Sequence, residues 1–214
     1  RAFEKITFGL PSNNDNRPDK IIELVSAHEI GHALIAYLFN DMFDLQRVTI
    51  NSNKNGAGGY TLFTPNNNYD MFPTKKFIIA NLIIALGGRA AEEILFRHNE
   101  NSSLMYKSQK VFNNFDNLEI TTGASNDLKQ ANSLARRFVS LFGMGNKIGL
   151  YDNGGDAMPF LGKNLAMNTD KLSEYSKEEI DKEIEILVSW AYDKAKEIIE
   201  FNYKDFLLLT DKLI

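Results

Sequence analysis

Two histidines four residues apart, with a glutamate directly after the first, constrain this chain more than any other stretch: His28-Glu29-Ile30-Gly31-His32. On an α-helix, positions i and i+4 share one face about one turn apart, the span at which two imidazoles reach the same metal ion. A glutamate beside the first histidine leans over that ion and carries a proton, the arrangement of helix-borne zinc hydrolases. The chain has 3 histidines in 214 residues. Two of them fall in this apolar stretch, where an unpaired polar ring costs free energy. There is no cysteine, which excludes disulfides, thiolate zinc sites and cysteine nucleophiles. Any metal therefore falls to His, Asp and Glu.

The formal net charge of −4 argues against nucleic acid as a partner, since phosphate binding needs a basic face. The apolar run Phe77 to Leu86 is too short to span a bilayer and reads as a buried helix. Residues 1–17 read as an extended segment and a polar loop. Pro18 opens a helix to about Phe39, with Ile21, Leu24, Val25, Leu34, Ile35 and Leu38 at helical spacing. Gly31 inside it admits close approach of a neighbouring backbone. Two strand-like runs follow, Leu45 to Ile50 and Gly59 to Thr64, joined by a Gly/Asn-rich turn. Pro73-Thr74 opens a second long helix through Phe96, interrupted at Gly87-Gly88. Residues 97–118 show no period. A third helix follows Thr121-Thr122-Gly123-Ala124-Ser125 and is capped by Gly143. Ser176-Lys177-Glu178-Glu179 reads as a capping box opening a fourth helix, and Tyr203 to Ile214 is a last amphipathic piece. The expectation is a mainly α-helical domain with a small β-ribbon.

A catalytic zinc needs a third protein ligand and an open position. His98, Glu92, Glu93 and Asp127 are all available, and spacing does not choose among them. Glu29 is expected to act as general base on the water that the metal polarises, and as acid to the leaving amine.

Five ordered segments carry a family resemblance. They are His28-Glu29-Ile30-Gly31-His32-Ala33; Arg47-Val48-Thr49-Ile50; Gly58-Gly59-Tyr60-Thr61; Leu86-Gly87-Gly88-Arg89-Ala90-Ala91-Glu92-Glu93-Ile94; and Thr121-Thr122-Gly123-Ala124-Ser125-Asn126-Asp127-Leu128. Together they resemble the peptidase domain of the FtsH-type membrane-bound AAA zinc proteases, over nearly the whole chain. The resemblance implies a zincin-like peptidase domain over 18–214, with an insertion at 97–118 and C-terminal helices over 173–214. Residues 1–17 would then be the linker from an ATPase part outside this chain. It implies Asp127 as the third ligand of one Zn²⁺, beside His28 and His32. One of Glu92 and Glu93 would orient a ligating histidine. Gly58, Gly59, Tyr60 and Thr61 would take a substrate peptide as an added strand.

The same resemblance implies an ATP-dependent zinc metalloendopeptidase acting on unfolded or membrane proteins. ATP would act only through the missing ATPase part. The assembly would be a homo-hexamer or a hetero-hexamer, anchored through missing N-terminal segments to an organelle membrane of mitochondrial or plastid type. A non-catalytic, peptidase-like scaffold of such a ring is the alternative. Ile30 replaces the family's usual alanine, and about twenty residues between Phe96 and Glu119 exceed its short connection. No phosphate-binding Gly-x-x-x-x-Gly-Lys-[Ser/Thr] loop is present in the chain.

Overall fold

The computed structural model describes residues 16–52, 58–66, 69, 71–99, 120–146 and 174–214. Five helices and one hairpin are seen among them: α1 (Asp19–Leu38), β1 (Phe43–Thr49), β2 (Tyr60–Pro65), α2 (Lys75–Asn99), α3 (Ser125–Arg136), α4 (Glu174–Phe201) and α5 (Tyr203–Leu213). This is the expected mainly helical domain with a small β-ribbon.

Pro18 sits just before α1 in an extended conformation (φ −59°, ψ 148°), so the helix starts one residue later than the proline itself. Helix α1 is apolar on several sides because the fold encloses it. Ala27, Ile30, Leu34 and Ile35 are buried, and 61% of its most apolar stretch lies inside the molecule. Each Leu or Ile enclosed in this way contributes about 1.5–3 kcal/mol. Thr74 starts α2, its hydroxyl accepting the Phe77 N–H at 3.2 Å. α2 packs on α1, α3 and α4 and carries much of the core: Leu82, Ile84, Leu86 and Ile94.

The expected interruption at Gly87-Gly88 does not occur, and α2 runs unbroken to Asn99. These glycines are contact points between helices. A Cβ on Gly87 would fall 2.8 Å from Gly31 O, and one on Gly31 would fall 2.6 Å from Ala91 Cβ. α1 and α2 therefore cross backbone to backbone at Gly31, the approach that glycine alone permits. The helical propensity lost at these glycines, about 1 kcal/mol each, is offset by that packing.

β1 and β2 pair antiparallel, with Val48 opposite Thr61 and Thr49 opposite Tyr60, and an irregularity between Leu45 and Arg47. Most of the Gly/Asn-rich turn lies outside the described residues. Arg17 ties together the two ends of the β1–β2 connection, donating to Ile50 O at 2.6 Å and to Gly58 O at 2.8 Å. After Arg136, α3 widens into a π-turn over Arg137–Leu141. Gly143 closes it at φ 60°, with Met144 N–H donating to Phe138 O at 3.0 Å, as the sequence predicted for that glycine. Helix α4 already begins at Glu174, so Ser176 to Glu179 lie inside its first turns rather than opening it. α5 returns to α1, where the buried Ser26 hydroxyl donates to Thr210 O at 2.7 Å. Residues 1–15 and 100–119 lie outside the described residues, and with them most of the expected linker and insertion.

Candidate metal centre

Three elements deliver the polar groups at the centre of the molecule. α1 presents His28 and His32 on one face, as the spacing requires. α2 crosses behind them, and the first turn of α3 supplies Asp127. His28 Nε2 lies 3.1 Å from Asp127 Oδ2 and 3.2 Å from His32 Nε2. His32 Nε2 lies 3.6 Å from the same Asp127 oxygen. The side-chain exposures of His28, His32 and Asp127 are 13%, 9% and 24%, so solvent reaches the group from the aspartate side.

The far edge of each imidazole decides its tautomer. His32 Nδ1 lies 2.7 Å from Ile84 O, and a carbonyl only accepts, so that nitrogen carries a proton. His28 Nδ1 lies 2.8 Å from Glu92 Oε1 and donates to that carboxylate. Both Nε2 atoms of the neutral rings are then lone pairs, aimed at each other and at Asp127. With both rings neutral, three electron-rich atoms converging at 3.1–3.6 Å repel unless a proton or a metal cation lies among them. Donors at 2.0–2.1 Å around a tetrahedral Zn²⁺ stand about 3.3 Å from one another, so the donor set fits such an ion. These three residues are the group that the described residues offer for a metal.

The electrostatics agree. Burial disfavours a charged His28, but Asp127 and Glu92 outweigh it and raise its pKa to about 10. Burial also works against ionising Asp127, and the two histidines overcome it, holding the carboxyl well below the usual range. Glu92 is likewise held low, against its burial, by hydrogen bonds from His28 and Thr121. A pocket that holds a proton this firmly is a pocket of negative potential, suited to a divalent cation.

Glu92 is itself gripped by the backbone N–H and hydroxyl of Thr121, at 3.0 and 3.1 Å. Arg89 ties down the same turn by donating to Thr121 O at 2.7 Å. Glu93, by contrast, points away from the histidines, where it accepts from Tyr192 Oη at 2.5 Å and Arg97 Nη2 at 2.8 Å. The side chain of His98 lies outside the described residues.

Glu29 faces β2. Thr61 Oγ1 lies 2.7 Å from its Oε2, and a Cβ on Gly59 would fall 3.0 Å from its Cγ. Burial pushes the Glu29 carboxyl up, against the pull of His32, His28 and the Thr61 hydrogen bond. The strand Gly58 to Thr61 is thus brought directly beside the glutamate. Ile84 and Gly88 escaped the sequence reading. Ile84 acts through a carbonyl, which no side-chain pattern reveals. At Gly88 a Cβ would sit 2.5 Å from both His28 Nε2 and His32 Nε2. Its signal was the glycine pair itself, read as an interruption.

A helical domain whose central helix carries His-Glu-x-x-His, with an aspartate delivered from a second helix, defines the class of metal-dependent peptidases. The chain belongs to Peptidase family M41, which matches residues 18–103 and 108–214. It is 34% identical over 206 residues to "ATP-dependent zinc metalloprotease FtsH 3" of Synechocystis sp., covering 94% of this chain and 30% of that protein. It is 33% identical over 213 residues to "ATP-dependent zinc metalloprotease FtsH" of Mycoplasma genitalium, covering 100% and 27%. It is also 33% identical over 201 residues to "ATP-dependent zinc metalloprotease FTSH, chloroplastic" of Capsicum annuum, covering 92% and 27%. The chain thus spans less than a third of the length of these relatives.

Proposed function

We propose that this chain is the zinc-dependent endopeptidase part of an ATP-dependent, membrane-anchored protease that degrades unfolded or membrane proteins. The carrying observation is the convergence of His28 Nε2, His32 Nε2 and Asp127 Oδ2 at 3.1–3.6 Å, with Glu29 next along the helix. The names of the relatives supply the metal and the nucleotide: each is an ATP-dependent zinc metalloprotease.

In this reading His28, His32 and Asp127 hold a single Zn²⁺, which supplies Lewis acidity toward the scissile carbonyl and the attacking water. Glu92 and Ile84 O fix the two rings by receiving their Nδ1 protons. Glu29 takes a proton from the attacking water and returns it to the departing amine. Gly58 to Thr61 present a strand for a substrate backbone, which suits loose sequence preference. ATP would act through an ATPase part and a membrane of mitochondrial or plastid type through N-terminal segments outside this chain, and the subunits would assemble as a homo-hexamer or as a hetero-hexamer with related subunits.

The test is metal content followed through mutation. The chain is expected to retain one zinc, to hydrolyse casein, to lose both on chelation and to recover both on adding zinc. Asp127→Ala is expected to strip the metal, whereas His98→Ala keeps it. Zinc retained at wild-type affinity by Asp127→Ala overturns the ligand set. Glu92→Ala is expected to weaken zinc about 10–100-fold with the fold intact, measured by competition with a chromogenic chelator.

A further inference from the structure

We infer that Thr61 is a positioning residue for the general base: from the strand beside the cleft, its hydroxyl aims the Glu29 carboxylate. This rests on the reading of Glu29 as the base, and it assigns the Thr61 side chain a task separate from the docking of a substrate strand.

Glu29 is only 7% exposed, and a buried carboxylate without a donor is costly. Its partners come from β2. Thr61 Oγ1 is 2.7 Å from Glu29 Oε2 and 2.9 Å from Glu29 O. On the other side, the bare Cα of Gly59 leaves room for the carboxylate stem: a Cβ there would lie 3.0 Å from Glu29 Cγ and 3.1 Å from Oε1. Gly59, just before β2, and Thr61, within it, are two residues apart, and both lie against Glu29 on α1. One oxygen of the base is tethered. The other, Oε1, meets no protein donor among the described residues and is left for the proton.

The hydroxyl suits both states of a base that cycles. It has one proton to give and two lone pairs to offer. Toward the carboxylate it donates to Oε2. When Glu29 carries the proton taken from water on Oε1, Oε2 is a carbonyl oxygen that still accepts from the hydroxyl, and Glu29 O lies 2.9 Å away as a second acceptor for it. The threonine proton is never transferred, so the proton count of hydrolysis is unchanged. Threonine also holds its χ1 tightly, which fixes the aim.

Valine separates this role from the strand. It keeps the shape, the β-branch and the pairing opposite Val48, and removes only the hydrogen bond. In the zinc-loaded chain acting on a fluorogenic peptide, Thr61→Val is expected to lower kcat about 10–100-fold, with KM within about twofold and zinc content unchanged. Thr61→Ser is expected to restore kcat to within about threefold of wild type, and Thr61→Ala to repeat the valine loss. In the Glu29→Gln background, Thr61→Val is expected to add no further loss, because the two act as a unit. Crystal structures of the loaded variants supply a readout besides rate: Glu29 in a single rotamer with Thr or Ser, and swung from Gly59 or split between rotamers with Val. Wild-type kcat and an unmoved Glu29 in Thr61→Val overturn the inference, as does a loss falling on KM or a serine variant as poor as valine. Glu29→Gln hydrolysing at the wild-type rate would instead remove the base itself, an outcome distinct from Thr61→Val matching wild type beside an inactive Glu29→Gln.

Discussion

Glu29→Gln is expected to leave zinc in place and to reduce casein hydrolysis about 10²–10⁴-fold, the range a positioned general base contributes. Glutamine reproduces the shape of glutamate and still accepts the Thr61 hydrogen bond, but it takes no proton from water. Glu29 is not among the three converging donors, so metal content should match wild type. The fold should tolerate the change, because a neutral amide is easier to bury than a charge. The paired measurement is zinc per chain by elemental analysis and hydrolysis rate on the same preparation. A variant that keeps zinc and cleaves at the wild-type rate removes Glu29 as the base. A variant that loses zinc would instead place Glu29 in the metal's coordination, against the geometry of Thr61 and Gly59.

The two histidines were legible because their chemistry is local: four residues on a helix make a metal face wherever that helix is built. Asp127 was not. It lies 99 residues from His28, and only the fold of α2 against α1 and α3 brings it to 3.1 Å. Composition left it level with Glu92, Glu93 and His98, and family resemblance singled it out. Glu92 and Glu93 show why adjacent identical residues divide. They project about 100° apart around α2, so one reaches His28 and the other reaches Tyr192 on α4. The helices and the hairpin followed from periodicity, with shifts of one to three residues at their ends. The errors came from punctuation residues. Gly87-Gly88 signals a break by propensity, yet tertiary contact overrides propensity when a helix must pass close to another. Ser176 to Glu179 matches a capping box, but the helix begins at Glu174, so the box falls inside its first turns and not at its start.

Gly31 and Gly88 sit in the same helix crossing, and alanine at each is expected to fail differently. At Gly31 the added carbon meets the Gly87 carbonyl and Ala91 Cβ, neither of which can turn aside. Overpacking of that kind costs about 1–3 kcal/mol and exceeds the roughly 1 kcal/mol of helix propensity that alanine supplies. Gly31→Ala should therefore lower the thermal midpoint of the metal-free chain. At Gly88 the atoms nearest the added carbon are the tips of His28 and His32, at 2.5 Å. Side chains can swing, so the metal-free fold of Gly88→Ala should survive and melt closer to wild type than Gly31→Ala, the helix propensity gained being set against the ring hydrogen bonds lost. The swing is what the site does not tolerate. Each ring is held by its Nδ1 partner, Glu92 or Ile84 O, and turning the ring breaks that bond and carries Nε2 away from Asp127. Gly88→Ala is expected to lose zinc at concentrations that saturate wild type, and hydrolysis with it, while circular dichroism stays native. The two readouts, melting without metal and zinc affinity, separate the outcomes. A Gly88→Ala chain that binds zinc with wild-type affinity would mean that the imidazoles reach the ion from another direction, and the arrangement of three donors across α1 and α3 would have to be redrawn.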